Sequence, residues 1–297
     1  MEEEKRKVVF LSIVSNTFLI ITKISVGLIT GSISIISEAI HSSIDLIAAV
    51  MTFFAIRASS IPPDKEHPYG HSKAENISGF VEALLIITAA LWIIYESIKK
   101  LIFSQPVEFV VAGIAVMLFS AVVNFYVSKK LYKTSLKTDS IALRADAVHL
   151  TTDVYTSVGV TFGLFLIYFL EKIFPQKHFH WIDPAFAIMV AGIIIKTGLS
   201  LTSESIKDLM DSCISDNEIQ KIEDIIKNSE DVIAYRNLKT RKAGGRIFIE
   251  FELVIDKNIS FEKAHLITEK VASNIRNKIK SDVIIHPEPS SAQSNKD

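Results

Sequence analysis

Two short segments of the sequence carry the same pattern of ionisable residues. His41 and Asp45 stand four positions apart in an apolar segment, and His149 and Asp153 repeat this spacing in another. Residues at i and i+4 share one face of a helix, so each pair presents an imidazole beside a carboxylate. Two such pairs, brought together from two helices, supply a tetrahedral shell that suits Zn²⁺. Imidazole nitrogens argue against Mg²⁺ and Ca²⁺ and make Mn²⁺ a poorer fit.

A simpler explanation remains open from the residues alone. Polar side chains in apolar helices also form hydrogen bonds between helices or line a water-filled cavity, and a single His–Asp pair would favour this. Ionisable groups in a membrane helix are costly, and two copies of the spacing favour a metal site. Glu38 and Asp146 each lie three residues before a histidine, where they can orient a ligand or relay protons. A simple polar contact, for Asp146 with nearby Arg144, explains them equally well.

The segments that hold these residues are long and apolar. The chain has 297 residues, of which 49% are hydrophobic, and a mean hydropathy of +0.34, which is too apolar for an ordinary soluble domain. A bilayer requires about 20 apolar residues in a helix. The sequence predicts six transmembrane helices at 8–29, 33–56, 75–101, 107–129, 140–170 and 183–202. The even number places both termini on one side, and the excess of Lys and Arg in the loops there predicts that this side is the cytoplasm.

Composition excludes several other classes of protein. The single Cys213 rules out a disulfide framework and a thiolate metal cage within one chain. No basic stripe interleaved with aromatic residues is present, so we expect no nucleic-acid partner. The N-terminus runs into the first apolar segment without a small-residue cleavage site, which predicts a retained helix and not a signal peptide.

The C-terminal part of the chain has the pattern of a small α+β domain. Strict alternation over Arg246–Ile255 predicts a strand with Ile249 and Leu253 on its inner face. The order of predicted elements is α-β-β-α-β, which indicates two layers. They are a helix from Ser215 or Asp216 to about Asn228, strands at 232–242 and 246–255, a helix capped by Ser260, and a short strand at 282–285. The predicted domains are 1–203 in the membrane and 204–290 outside it, with a disordered tail at 291–297.

Two further motifs extend the pattern. The second predicted span is followed by Pro-Pro-Asp-Lys-Glu-His-Pro-Tyr-Gly-His-Ser-Lys-Ala-Glu, and the fifth contains Leu-Arg-Ala-Asp-Ala-Val-His. Together with the paired His–Asp motifs, they resemble the cation diffusion facilitators, a family of zinc-exporting antiporters, over about residues 8–288. The resemblance implies a multi-pass α-helical membrane protein, in a bacterial inner membrane, with a cytoplasmic C-terminal domain that is ferredoxin-like or metallochaperone-like. It also implies a homodimer that exchanges Zn²⁺ for protons and is not an enzyme.

The resemblance assigns roles to individual residues. In such relatives, the positions of His41, Asp45, His149 and Asp153 bind the transported ion, and the His-Asp, His-Asp set resembles the zinc-selective members. In some relatives, the positions of Asp64, His67 and His71 are loop ligands of a second zinc. The positions of Lys73 and Asp211 match a charge interlock that joins the protomers. For the loop, a solvated segment with two incidental histidines is the alternative.

The sequence departs from the family pattern in the C-terminal domain. Glu252, His265, His286 and Glu288 match positions that help to hold a zinc pair, with Zn²⁺ there as a regulatory ligand. Two histidines expected there are Arg236 and Glu252 in this chain. Arg236 cannot ligate because its guanidinium keeps its charge. One weaker site, or surface residues without metal, is therefore the expectation.

Rival functions differ in their motifs. An intramembrane metalloprotease requires His-Glu-x-x-His, whereas Ser42 follows His41 and Leu150 follows His149. A non-transporting scaffold or metal sensor has no need for all four ligands. Carriage of Cd²⁺, Co²⁺, Fe²⁺ or Mn²⁺ remains the alternative to Zn²⁺.

Overall fold

The structure is a computed structural model that describes residues 2–31, 33–102, 111–173 and 181–290. It divides into two compact units, 1–206 and 207–297. The predicted tail at 291–297 lies outside the described residues.

The first unit is helical, as the apolar segments predict. Five of its helices are long and apolar enough to cross a membrane, counted over the described residues. The sixth, α5, is the longest and begins with a polar stretch that includes both ligands of the second motif. Each helix extends beyond the C-terminal end of its predicted segment, because polar residues continue the helix past the apolar core; the predicted start of the fourth segment, 107–110, lies outside the described residues. The bounds are α1 Glu2–Thr30, α2 Ile33–Ser59, α3 Lys73–Ile102, α4 Val111–Thr138, α5 Ile141–Ile173 and α6 Ile182–Leu209.

Helix α5 lies at the centre of the described bundle. Its residues Ala145 and Ile141 belong to a buried cluster with α3 and α6, whereas Leu143 and Leu150 belong to a second cluster with α1, α2 and α4. Both clusters take residues from the first half of α5, so its polar side chains there face the protein interior. Large apolar side chains such as Phe125, which is 58% exposed, cover the outer surface, as expected of a lipid-facing surface.

Two glycines allow close helix approach, the packing role that a Gly-x-x-x-Gly spacing favours. A Cβ added at Gly27 would lie 2.8 Å from Cγ1 of Ile36, where α1 meets α2. One added at Gly159 would lie 3.0 Å from Cγ2 of Val190, where α5 meets α6.

The second unit has the predicted α-β-β-α-β order. Its three strands are arranged β1-β2-β3, with β1 antiparallel and β3 parallel to β2. Helices α7 and α8 pack on one face, where Ile249, Leu253 and Val271 are almost fully buried. The elements are α7 Asp216–Lys227, β1 Val232–Ala243, β2 Arg246–Ile255, α8 Phe261–Lys278 and β3 Ser281–Pro289.

Two details differ from the sequence expectation. The last strand runs on to Pro289, because an edge strand tolerates prolines that lack an N–H. The outer face of β2 is also less polar than predicted. Phe248 on that face is only 9% exposed, and the guanidinium of Arg241 lies 4.6 Å from its ring centroid.

Candidate metal centre

The structure brings the two His–Asp pairs together between α2 and α5. One ligand atom each from His41, Asp45 and Asp153 lie within 4.8 Å of one another. The fourth residue, His149, places its Nε2 atom 2.9 Å from Oδ1 of Asp45. Three of the four predicted ligands therefore form one group, and His149 lies beside it through its contact with Asp45.

Two polar atoms of this cluster are buried and have no hydrogen-bond partner among the described residues. Asp45 is 4% exposed and His149 is 7% exposed. Among the described residues, Nδ1 of His149 and Oδ2 of Asp153 are buried without a hydrogen-bond partner. Buried polar atoms in native proteins are almost always satisfied. These atoms are therefore suited to a ligand that the protein itself does not supply.

A cavity of about 580 Å³ contains the cluster. Its walls carry all four predicted ligands, polar side chains such as Asn124 and Thr152, and apolar ones such as Leu85 and Trp92. A water molecule occupies about 30 Å³ in the liquid, so the cavity has room for an ion together with several waters. The lining residues of α2, α4 and α6 lie in the N-terminal halves of these helices, which places the cavity towards the α3–α4 end of the bundle.

A lysine that the sequence analysis did not single out also lines this cavity. Lys23 on α1 is 5% exposed. Its Nζ donates a hydrogen bond to Oγ of Ser42 at 2.8 Å and contacts Oε2 of Glu38 at 3.2 Å. Glu38 therefore makes a simple polar contact with Lys23, which is one of the two interpretations that the sequence allowed for this residue. A lysine in the middle of an apolar segment is the signal that could have identified it.

Two further buried carboxyl groups are not among the described lining residues of the cavity. Glu82 is 0% exposed and accepts a hydrogen bond from Thr52. Asp146 is 1% exposed and accepts one from Ser12 at 3.5 Å. The suggested partner of Asp146 pairs elsewhere, since Arg144 Nη1 contacts Glu204 Oε1 at 2.6 Å.

A buried polar network joins α1, α2 and α3 to Ser140, which immediately precedes α5, at the opposite end from the cavity. Glu75 at the start of α3 is its acceptor. Lys5 Nζ contacts Oε1 of Glu75 at 2.7 Å, Ser59 donates to the same oxygen at 2.9 Å, and Ser140 donates to Oε2. The side chains of Lys5 and Glu75 are only 4% and 1% exposed. We call Lys5, Ser59, Glu75 and Ser140 the end clasp.

The three predicted loop ligands also lie together. Ligand atoms of Asp64, His67 and His71 are within 4.8 Å of one another. Backbone hydrogen bonds from the N–H groups of His67 and Glu66 lower the pKa of Asp64, aided by the charges of the two histidines, although some desolvation opposes this. The group is open to solvent on one side, because the Asp64 and His67 side chains are 48% and 54% exposed.

The predicted C-terminal ligands are spread over the second unit. Glu252 and His286 are neighbours on β2 and β3, and His286 Nε2 lies 3.1 Å from Oε1 of Glu288. His265 is exposed on α8, which covers the opposite face of the sheet. In the part of the chain that the structure describes, no three potential ligands cluster in this unit. Arg236 stands opposite Glu252 on β1.

The two interlock residues belong to different units. Lys73 begins α3. Asp211 follows α6 and accepts a hydrogen bond from Nη1 of Arg241 at 3.2 Å.

Comparison with known proteins identifies the family. Residues 9–210 match the cation efflux transmembrane domain, and residues 214–290 match the cation efflux protein cytoplasmic domain. The chain belongs to the cation efflux family. Membership confirms the resemblance to the cation diffusion facilitators, and it makes this chain a cation efflux transporter and a multi-pass membrane protein.

Individual members of the cation efflux family align over most of the chain. The uncharacterized transporter sll1263 of Synechocystis sp. is 34% identical over 90% of this chain and 84% of its own length. The cation-efflux pump FieF of Cronobacter sakazakii is 32% identical over 93% and 89%. FieF of Shewanella oneidensis is 29% identical over 94% and 92%.

Proposed function

We propose that this cation efflux transporter exports Zn²⁺ from the cytoplasm in exchange for protons, and that the ion is carried by His41, Asp45, His149 and Asp153. The supporting observation is the convergence of these four side chains in one cavity between α2 and α5. Two imidazoles and two carboxylates match a four-coordinate Zn²⁺ shell. A carboxylate-only site would suit Mn²⁺ better.

The position of the cavity along the bundle fits a carrier. The cavity lies towards the α3–α4 end, whereas the end clasp closes the bundle where the α2–α3 loop begins. In the proposed cycle the helices rearrange so that the site faces first one side and then the other. The clasp end is the cytoplasmic one in this proposal, because the Lys- and Arg-rich segments lie there.

Competition for the same ligands couples the metal to protons. An imidazole must be neutral and a carboxylate ionised to bind Zn²⁺, so protonation of the ligands on the more acidic side assists metal release. The transporter would then draw on the proton gradient without any separate proton-binding device.

The remaining assignments form a second level of the proposal. The C-terminal domain supports a homodimer and Lys73 and Asp211 strengthen it. Asp64, His67 and His71 collect zinc at the loop, since their ligand atoms already lie together. Regulatory binding at Glu252, His265, His286 and Glu288 has weaker support, because no three of these side chains cluster in the described part of the second unit, although His286 contacts Glu288.

Metal uptake into proteoliposomes across a pH gradient tests the proposal. We expect zinc uptake to depend on the gradient and to exceed uptake of manganese, iron, cobalt and cadmium. Asp153→Asn keeps the size of the side chain but removes its charge, and it should abolish zinc uptake. Glu4→Gln removes an exposed carboxylate at the N-terminus and should leave uptake unchanged.

Each alternative predicts a different result. Preference for another cation would favour that ion as the cargo, and no uptake of any metal by the wild type would favour a scaffold or sensor. Full zinc uptake by folded Asp153→Asn protein would refute the assigned site.

A further inference from the structure

Lys23 is the one cavity-lining residue of α1 in the described part of the cavity, and α1 supplies no predicted ligand. An ammonium group in a membrane helix is costly unless it is paired. Lys23 is 5% exposed and contacts both Glu38 and Ser42. Its partners lie on α2, the helix that carries His41 and Asp45. The lysine therefore contacts the helix that carries two of the predicted ligands.

Glu38 stands close to the predicted ligands. It precedes His41 by three positions on α2, which places both side chains on one helix face. Its side chain lines the same cavity as the four ligands and is 41% exposed. A free carboxylate at this position can supply a further oxygen to an ion in the cavity. In the structure that oxygen is held by Lys23 at 3.2 Å.

The number of oxygen ligands affects which metal binds. Zn²⁺ accepts a four-coordinate shell of nitrogen and oxygen. Mn²⁺ prefers an octahedral, oxygen-rich shell. A third carboxylate beside the four ligands would therefore improve the fit for Mn²⁺ more than for Zn²⁺.

We propose that Lys23 is a specificity-determining residue, which holds Glu38 out of the coordination shell and so keeps the site selective for Zn²⁺ over Mn²⁺. The inference rests on the proposed function of the four-ligand site. Lys23 is a positioning residue, since it acts through Glu38. Its contact with Ser42, the neighbour of His41, fixes the ammonium at the edge of the site.

The test compares Zn²⁺ and Mn²⁺ affinities by calorimetry and their uptake in proteoliposomes. Lys23→Met removes the charge at similar length, and we expect it to lower the Zn²⁺:Mn²⁺ affinity ratio by about 10-fold. The double variant Lys23→Met/Glu38→Gln removes the extra carboxylate and should restore the wild-type ratio. Lys196→Met is the matched control, because Lys196 is an exposed lysine of α6 that does not line the cavity.

The outcomes separate this inference from the site assignment. An unchanged ratio in Lys23→Met, or a lowered ratio that Glu38→Gln does not restore, would overturn the role of Lys23 while the Asp153 test still stands. If Lys23→Met does not fold, Lys23→Gln, which keeps a donor for Ser42, carries the same expectation. If the Asp153→Asn protein retains zinc uptake, the assignment of the metal site itself is refuted.

Discussion

Breaking the end clasp should open the bundle at the α2–α3 loop end. Glu75→Gln leaves the Lys5 ammonium 4% exposed and without its main partner. Removing one partner of a buried pair costs about 3–5 kcal/mol. Lys5 keeps a contact to Glu2 at 3.4 Å, whose side chain is 49% exposed, so we take the lower value of about 3 kcal/mol.

The cost falls mainly on the conformation that buries the clasp. A conformation in which water reaches Lys5 avoids most of this cost, because a hydrated ammonium needs no carboxylate. A difference of about 3 kcal/mol changes the ratio of the two conformations by about 100-fold. The variant should therefore spend far more time open at this end.

Thiol labelling measures this change. The single Cys213 is replaced by Ser, and Ser78, which lies one turn beyond Glu75 and is 3% exposed, is replaced by Cys. A water-soluble maleimide should label this cysteine slowly in the clasp-intact protein and up to about 100-fold faster with Glu75→Gln. Glu4→Gln, which breaks the exposed contact with Lys137, is the control and should not change the rate.

The double variant Lys5→Met/Glu75→Gln distinguishes a clasp from general damage. Replacing both partners of a buried pair is often nearly neutral, whereas removing one leaves a buried charge. Labelling should therefore return towards the slow rate. Equal labelling of the clasp-intact and Glu75→Gln proteins, both folded, would refute the reasoning.

Two further predictions concern regions outside the membrane helices. Ile249 lies in the core of the second unit and is 0% exposed. Ile249→Ala should lower the free energy of unfolding of that unit by about 2–5 kcal/mol, measured by urea titration. A loss below about 1 kcal/mol would contradict the burial. Hydrogen bonds from the backbone N–H groups of His67 and Glu66 lower the pKa of Asp64 below its ordinary value of 3.8. The ionised carboxylate should therefore stabilise the loop fully at any pH above 3.8, and this stabilisation should be lost as the pH falls through the lower pKa of the folded protein. An NMR titration of the His67 amide with a midpoint at or above 3.8 would argue against this.

Local patterns could predict which faces carry the candidate ligands, because each pair lies on a single helix. The spacing of His41 and Asp45 already determines that they share a face, and the apolar segments indicate the membrane helices. The second unit was predictable for the same reason, since the alternation of β2 and the capping serine of α8 are local signals.

Contacts between distant segments could not be predicted in this way. Lys5 and Glu75 are 70 positions apart, and no spacing rule pairs them. Glu82 and Lys23 were visible as charges in apolar segments, but their partners depend on how the helices pack. Arg144 pairs with Glu204 and not with Asp146, and this pairing likewise depends on how the helices pack.

The charges around the cavity give a physical reason for exchanging a metal against protons. Lys23 and Glu38 offset each other, so the four-ligand site carries the charge of Asp45 and Asp153. A Zn²⁺ ion neutralises these two carboxylates. When the ion leaves, two negative charges in a buried site repel each other, and protons, which compete for the same ligand atoms, can bind in place of the metal. In the proposed cycle, the same burial that makes the site bind Zn²⁺ therefore makes its empty form bind protons.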